Sequence, residues 1–203
     1  MESRETTEAS RTLSEPLAQR ARKTLVITQA IFFTTLAWCV LLVHNHEAQN
    51  SGISYYGVHL RTVAFAIFAY ASAAVGLWRA STLFQRAGLD SMSWVGMRVI
   101  AVVLIVLLLT PYSAGAFLNW AHMTTGVIGA LVQLAMVITL LRRRATAAAV
   151  VGFTVQLVGG ILGALSLPNW GFTYLLTSEI IFQIGFCWCL LEWTSLMPRD
   201  VAA

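Results

Sequence analysis

Apolar residues in this chain come in long uninterrupted runs, and polar or charged residues are confined to the short segments between them. A hydrocarbon layer roughly 30 Å thick takes about 20 helical residues at a rise of 1.5 Å each. Runs that meet or approach this length recur over 24–43, 62–78, 97–112, 117–141, 146–166 and 173–193. The pattern predicts an all-α integral membrane protein, a compact bundle of six transmembrane helices. Arg20, Arg22 and Lys23 precede the first run as the charged start of a signal peptide would. That run is longer than a typical signal-peptide core, however, and no small-x-small cleavage pattern follows, so it is read as a retained first span.

Composition removes the alternatives. With 58% hydrophobic residues and only 11% charged among 203, the chain lies outside the range of a soluble globular domain. Its net charge of +4 does not form a continuous basic face, so no nucleic-acid partner is expected. Lys and Arg instead mark topology. The N-terminal tail, the 79–98 loop, the 142–144 turn and the C-terminal tail hold every basic residue except Arg61. Cytoplasmic loops carry the excess of positive charge, so an even number of spans puts both termini in the cytoplasm of a cell-membrane protein.

Residues 1–23 are rich in Glu, Arg, Ser and Thr and are expected to be a disordered cytoplasmic tail, although Leu13 and Leu17 have the spacing of a weak surface-lying helix. The membrane domain is read as 24–193 and a second cytoplasmic tail as 194–203. Short connections at 112–116, 142–145 and 167–172 should make consecutive helices antiparallel neighbours. Gly159-x-x-x-Gly163, overlapping Gly160-x-x-x-Ala164, is expected to let a neighbouring helix of the same chain approach closely. Arg98, near the start of the third span, is expected to extend its stem to the headgroups.

All four histidines, His44, His46, His59 and His122, fall in the outer half under this topology. His44, His46, Glu47 and His59 offer a nitrogen and oxygen donor set for a divalent ion such as zinc, but the spacing is weakly specific and solvated loop histidines are the plainer reading. His122 lies about five residues, roughly 7 to 8 Å, inside its span. Glu179 enters the last span to a similar depth. An intramembrane carboxylate is costly unless it is neutral, paired or beside a wet cavity, which makes it a functional candidate. Ser54, His59, Arg61, Asn119, His122, Ser178 and Glu179 are therefore expected to line an outward-facing polar pocket, with Arg61 or His122 as partner of Glu179. Either contact would also serve simply to tie three helices together.

Other polar residues have structural readings. Gln29, Gln133, Gln156 and Gln183 are expected to bond between helices, and Glu192 to be solvated or paired with an arginine. Tyr55, Tyr56, Tyr112, Trp120, Trp170 and Tyr174 suit an outer aromatic belt, and Trp78, Trp94 and Trp193 an inner one. Cys39, Cys187 and Cys189 are read as free thiols, without metal or haem spacing. Among enzyme signatures there is no GxSxG elbow, HExxH helix or Gly-rich phosphate loop.

Three short motifs carry a resemblance: Ile53-Ser54-Tyr55-Tyr56-Gly57 in the first outer loop, Asn119-Trp120-Ala121-His122 opening the fourth span, and Ser178-Glu179 opening the sixth. Together they resemble the six-pass superfamily of damage-regulated autophagy modulators and GPI-lipid-remodelling membrane proteins over about 24–193. The chain has Tyr55 where members often carry an acidic residue, and it lacks a proline soon after the loop glycine. These departures point to the bacterial relatives of unknown function. The resemblance implies a lipid-associated, non-catalytic protein, with Ser54, His122 and Glu179 as the positions that carry over.

The sequence thus leads to the expectation of a protein that binds or organises membrane lipid through its outward-facing pocket. No cofactor is expected. The alternatives are a zinc-dependent lipid hydrolase, and an accessory or scaffold subunit acting through a membrane-protein partner or a second copy of itself.

Overall fold

The structure, a computed structural model, describes the backbone of residues 2–88, 91–166 and 172–200, and the side chains of 16–88, 91–166 and 172–194. Its elements are α1 (Glu2–Leu42), a short α2 (His46–Ser51), a 3-10 turn (Ile53–Gly57), α3 (Val63–Arg86), α4 (Ser91–Leu109), a second 3-10 turn (Tyr112–Ala114), α5 (Ala116–Arg143), α6 (Ala147–Leu165) and α7 (Leu175–Asp200). Six of these, with α1 counted from Pro16 and α7 to Thr194, are long and apolar enough to cross a membrane. No strand occurs among the described residues. The all-α, six-span architecture read from the apolar runs is the architecture of the protein.

Several boundaries differ from the hydropathy pattern. Helix α1 begins at Glu2, so the stretch read as a disordered tail is continuous with the first span. Its Glu, Arg, Ala and Leu residues have good helix propensity and extend a helix already nucleated by the span. Helix α3 continues to Arg86, two turns past Trp78, and the long 79–98 loop shrinks to a turn around Gly88. Hydropathy ends a span at the first charges, but helical hydrogen bonding continues into the polar interface. The 167–171 connection and Trp170 lie outside the described residues.

Packing runs in series: α6 against α7, α7 against α1, α1 against α3, α3 against α4, and α4 against α5. Helices α5 and α6 share the short Arg144–Thr146 connection yet touch only sparingly. Of the expected antiparallel neighbours, α4–α5 and α6–α7 pack extensively and α5–α6 do not; α3 and α4 also pack together, across the shortened 79–98 connection.

The α6–α7 seam depends on missing side chains. A Cβ at Gly159 would come within 2.8 Å of the Ser178 carbonyl oxygen, and one at Gly185 within 2.6 Å of the Gln156 Cα. Both separations are too short for a carbon atom, so only glycine allows the two backbones to meet. Gly159 packs within the chain as expected; Gly152 and Gly185, which complete the seam, stand outside the GxxxG pattern.

Two cores result. One, around Leu25, Phe84, Met97, Met136 and Trp193, lies toward the end carrying both termini. The other, around Leu36, Cys39, Ile53, Tyr55, Tyr56 and Leu176, lies at the opposite end and recruits the first loop. Tyr55 and Tyr56 therefore form the interior of a packed cap rather than an interfacial belt, while Trp120 and Tyr174 remain exposed as a belt requires. All three cysteines are free.

Arg98 lies among the aromatic and polar residues of the C-terminal part of α3 and the start of α4. Its guanidinium sits 5.4 Å from the Trp78 ring centroid and 4.9 Å from that of Trp94, and donates to Gln85 Oε1 at 2.6 Å and Ser81 Oγ at 3.3 Å. The extra turns of α3 bring these acceptors alongside it. Gln29 bonds between helices as expected, to the Cys187 carbonyl at 3.2 Å. Gln133 Oε1 and both amide atoms of Gln156 are buried without a partner among the described residues, contrary to expectation. Glu192 accepts from Thr146 Oγ1 at 2.8 Å.

Candidate functional site beneath the outer cap

Residues 44–62 form the cap. Asn45 starts α2 by accepting the Ala48 N–H on Oδ1 at 2.8 Å, satisfying one of the donors every helix start leaves open, and its Nδ2 donates to the Tyr55 hydroxyl at 3.1 Å. Gly52 ends α2 at φ 75°, in the left-handed region, with its N–H donating to the Ala48 carbonyl at 3.1 Å. That reversal aims the next backbone amide into the bundle. The Ile53 N–H donates to Glu179 Oε2 at 2.6 Å, and a Cβ at Gly52 would overlap the same carboxyl group. Glu179 has thus solved the problem of a carboxylate at membrane depth by binding the backbone of the cap.

One residue further on, Ser54 Oγ lies 2.7 Å from His122 Nε2. The other ring nitrogen, Nδ1, lies 2.7 Å from the Thr110 carbonyl. A carbonyl only accepts, so Nδ1 carries a proton, and in the neutral ring Nε2 is left as acceptor for the Ser54 hydroxyl. Histidine orientation is therefore fixed by the C-terminal end of α4. Tyr70 on α3 flanks the cluster, its hydroxyl near Ser54 and Glu179. Around this centre, Gln49 Nε2 donates to Thr177 Oγ1 at 3.1 Å, and the Tyr112 ring lies 6.0 Å from that of His122.

Ser54 and His122 are in contact, and Glu179 binds the residue next to Ser54, but among the described residues His122 makes no bond to Glu179, and the remaining pocket candidates are not gathered here. His59 stacks against Tyr55 with ring centroids 5.3 Å apart. Arg61 is exposed, and among the described residues no ion pair joins it to Glu179. The carboxylate takes the Ile53 amide in place of a guanidinium because Gly52 lets the backbone come close enough. Asn119 is exposed, and Ser178 is fully buried, donating to the Tyr174 carbonyl at 2.6 Å on the face that packs against α6.

No family model, curated protein or solved structure matches the chain.

The suggested metal set is not assembled. His44, His46 and Glu47 are exposed, His46 Nδ1 pairs with Asn50 Nδ2 at 2.7 Å, and His59 is held by Tyr55. Among the described residues no group of three or more His, Cys, Asp or Glu stands in metal-binding arrangement.

Two site residues escaped the sequence reading. Tyr70 looked like one more aromatic in an apolar run, and Gly52 like a loop glycine. A helical wheel separates neither from ordinary core, since their roles come from contacts with Ser54 and Glu179 across the fold.

The arrangement can accept hydrogen bonds from a ligand through the Glu179 carboxylate and, when Ser54 turns away, through His122 Nε2. It can also offer the Ser54 and Tyr70 hydroxyls in either direction. Such a set suits a group rich in donors, a hydroxyl or an ammonium, better than a bare phosphate.

Proposed function

We propose that this protein resides in the cell membrane with both termini cytoplasmic and binds the polar headgroup of a membrane lipid at the capped site. The headgroup class is one bearing hydroxyl or amine donors, such as a glycerol, sugar or ethanolamine. The observation that carries the proposal is the Glu179 carboxylate accepting the Ile53 backbone amide. An intramembrane acceptor is committed to a surface segment that can lift, and a headgroup donor can take over its bond without leaving the carboxylate unpaired.

Orientation follows from the distribution of Lys and Arg, and places the cap at the outer leaflet. Thr110 and Ser54 hold both ring nitrogens of His122, so a donor-bearing headgroup meets the Glu179 carboxyl oxygens as acceptors.

Lipid extracted from the purified protein tests this. The wild-type chain should carry a defined hydroxyl- or amine-bearing lipid, and Ser54→Ala and Glu179→Gln should each lose most of it. Proteins that retain fold and carry the same mixture as bulk membrane would refute the proposal in favour of a scaffold acting through a partner.

The Ser54–His122 contact also favours a second reading, acyl transfer from a lipid ester. Ser54 Oγ would attack the ester carbonyl while its proton passes to His122 Nε2. The departing alcohol then takes that proton, and water releases the acyl group by the reverse sequence. Labelling of Ser54 by a fluorophosphonate probe, abolished by His122→Ala, would put this reading first.

A further inference from the structure

Two surface grooves flank α1 near the end of the bundle that carries both termini. One, of about 470 Å3, lies between α1 and α3 and is lined by Arg20, Lys23 and Ile27 from the first and Trp78, Arg79 and Leu83 from the second. The other, of about 440 Å3, lies between α1 and α7 and includes Arg22 and Glu192. Helical geometry separates the three neighbouring cations of α1: Arg20 and Lys23, three apart, share one face, and Arg22 turns to the other.

The grooves differ in charge. The first gathers three cations and no carboxylate among its described lining residues, over a floor of Ile27 and Leu83. The second sets one cation against one carboxylate. The half-exposed Trp78 indole packs against the Arg98 guanidinium, itself bonded to Gln85 and Ser81, and stands as one wall of the groove.

We propose that the α1–α3 groove is a binding site for an anionic glycerophospholipid. Arg20, Lys23 and Arg79 surround the phosphate, Arg by paired N–H donors and Lys as a point charge. The indole of Trp78 lies at the headgroup level, and an acyl chain follows Ile27 and Leu83 toward the bilayer interior. A lipid fits better than a soluble anion because Ile27, Trp78 and Leu83 give the groove an apolar floor and wall and it opens along the side of two membrane-spanning helices. This site is independent of the capped one and stands at the other end of the bundle.

Native mass spectrometry of the full chain, titrated with phosphatidylglycerol, phosphatidylcholine and inorganic phosphate, tests the proposal. Wild-type protein should bind one phosphatidylglycerol at least about tenfold more tightly than phosphatidylcholine, and each of Arg20→Gln, Lys23→Gln and Arg79→Gln should weaken it about fivefold. Arg22→Gln, the same charge change on the same helix, should leave it within about twofold. Equal weakening by Arg22→Gln would show diffuse attraction and overturn the site, as would displacement of the lipid by inorganic phosphate at equal concentration. Brominated phosphatidylglycerol supplies a readout in the unaltered charge background. It should quench tryptophan fluorescence saturably in the wild type and not in Trp78→Phe; saturable quenching that survives in Trp78→Phe would place the lipid elsewhere.

Discussion

Ser54 and His122 are 68 positions apart in the chain, yet Ser54 Oγ and His122 Nε2 lie 2.7 Å apart, and the Thr110 carbonyl fixes the histidine from its other side. A loop, the end of one helix and the start of another are thereby joined through a single imidazole. The two bonds are not equivalent. Losing Ser54 leaves one ring nitrogen unpaired, whereas losing the ring leaves both the serine and a carbonyl near the end of α4 unpaired.

Thermal denaturation in detergent should resolve this difference. Ser54→Ala should cost about 1 kcal/mol and His122→Ala about 2 to 3 kcal/mol, in line with the penalty for buried groups left without partners. Equal costs would mean that the Thr110 contact contributes nothing.

Gly52 and Gly88 form a controlled pair. Both have positive φ, 75° and 71°, but a Cβ at Gly52 overlaps the Glu179 carboxyl, while one at Gly88 meets nothing within 4 Å. Gly88→Ala should cost about 1 kcal/mol, the backbone penalty alone. Gly52→Ala should cost about 2 kcal/mol or more and loosen the cap. Limited proteolysis of the cap separates the two variants: only Gly52→Ala should be cut faster there.

The α6–α7 seam gives a similar contrast. Gly185→Ala drives a methyl group into the backbone at Gln156 and should destabilise by about 2 kcal/mol, the cost typical of overpacking. Gly126→Ala, where nothing lies within 4 Å, should be neutral or stabilising by up to about 1 kcal/mol. Melting temperatures of the two purified variants check the difference.

How much of this was legible beforehand depends on the kind of interaction. The spans were, because a bilayer demands long apolar runs and backbone self-satisfaction whatever packs beside them. His122 and Glu179 were, because polar groups at membrane depth stand out against apolar neighbours, and Ser54 was singled out through its outer-loop motif. Their partners were not. Arg61 seemed the natural counter-ion for Glu179 by charge, but the carboxylate is satisfied by the Ile53 amide, and no sequence feature marks a main-chain donor as available. Arg98 was expected at the interface, but its particular partners Trp78, Ser81 and Gln85 were not legible, because α3 runs longer than its apolar run.

Alkaline titration probes the cap directly. Burial holds the Tyr56 hydroxyl neutral and pushes its pKa up to about 12, against about 10 for a free tyrosine. As pH rises, the unfolded segment gives up its proton first. The stability this residue contributes is whole below about pH 10 and drains away between about 10 and 12. Ultraviolet difference absorbance of tyrosinate should show a late phase in that window. Tyr56→Phe, which removes a hydroxyl with no partner among the described residues, should abolish that phase and keep the cap closed.

The central claim is that a lipid headgroup takes over the bond between Glu179 and the cap, and the Ile53 amide reports on that bond. Hydrogen exchange at Ile53, followed by mass spectrometry in nanodiscs, should accelerate at least about tenfold when a hydroxyl- or amine-bearing lipid replaces phosphatidylcholine, the change expected if about 1.4 kcal/mol of protection is lost. Glu179→Ala, which removes the acceptor, should exchange fast in both. An Ile53 amide equally protected in every lipid would contradict the account and leave Glu179 as a purely structural tie.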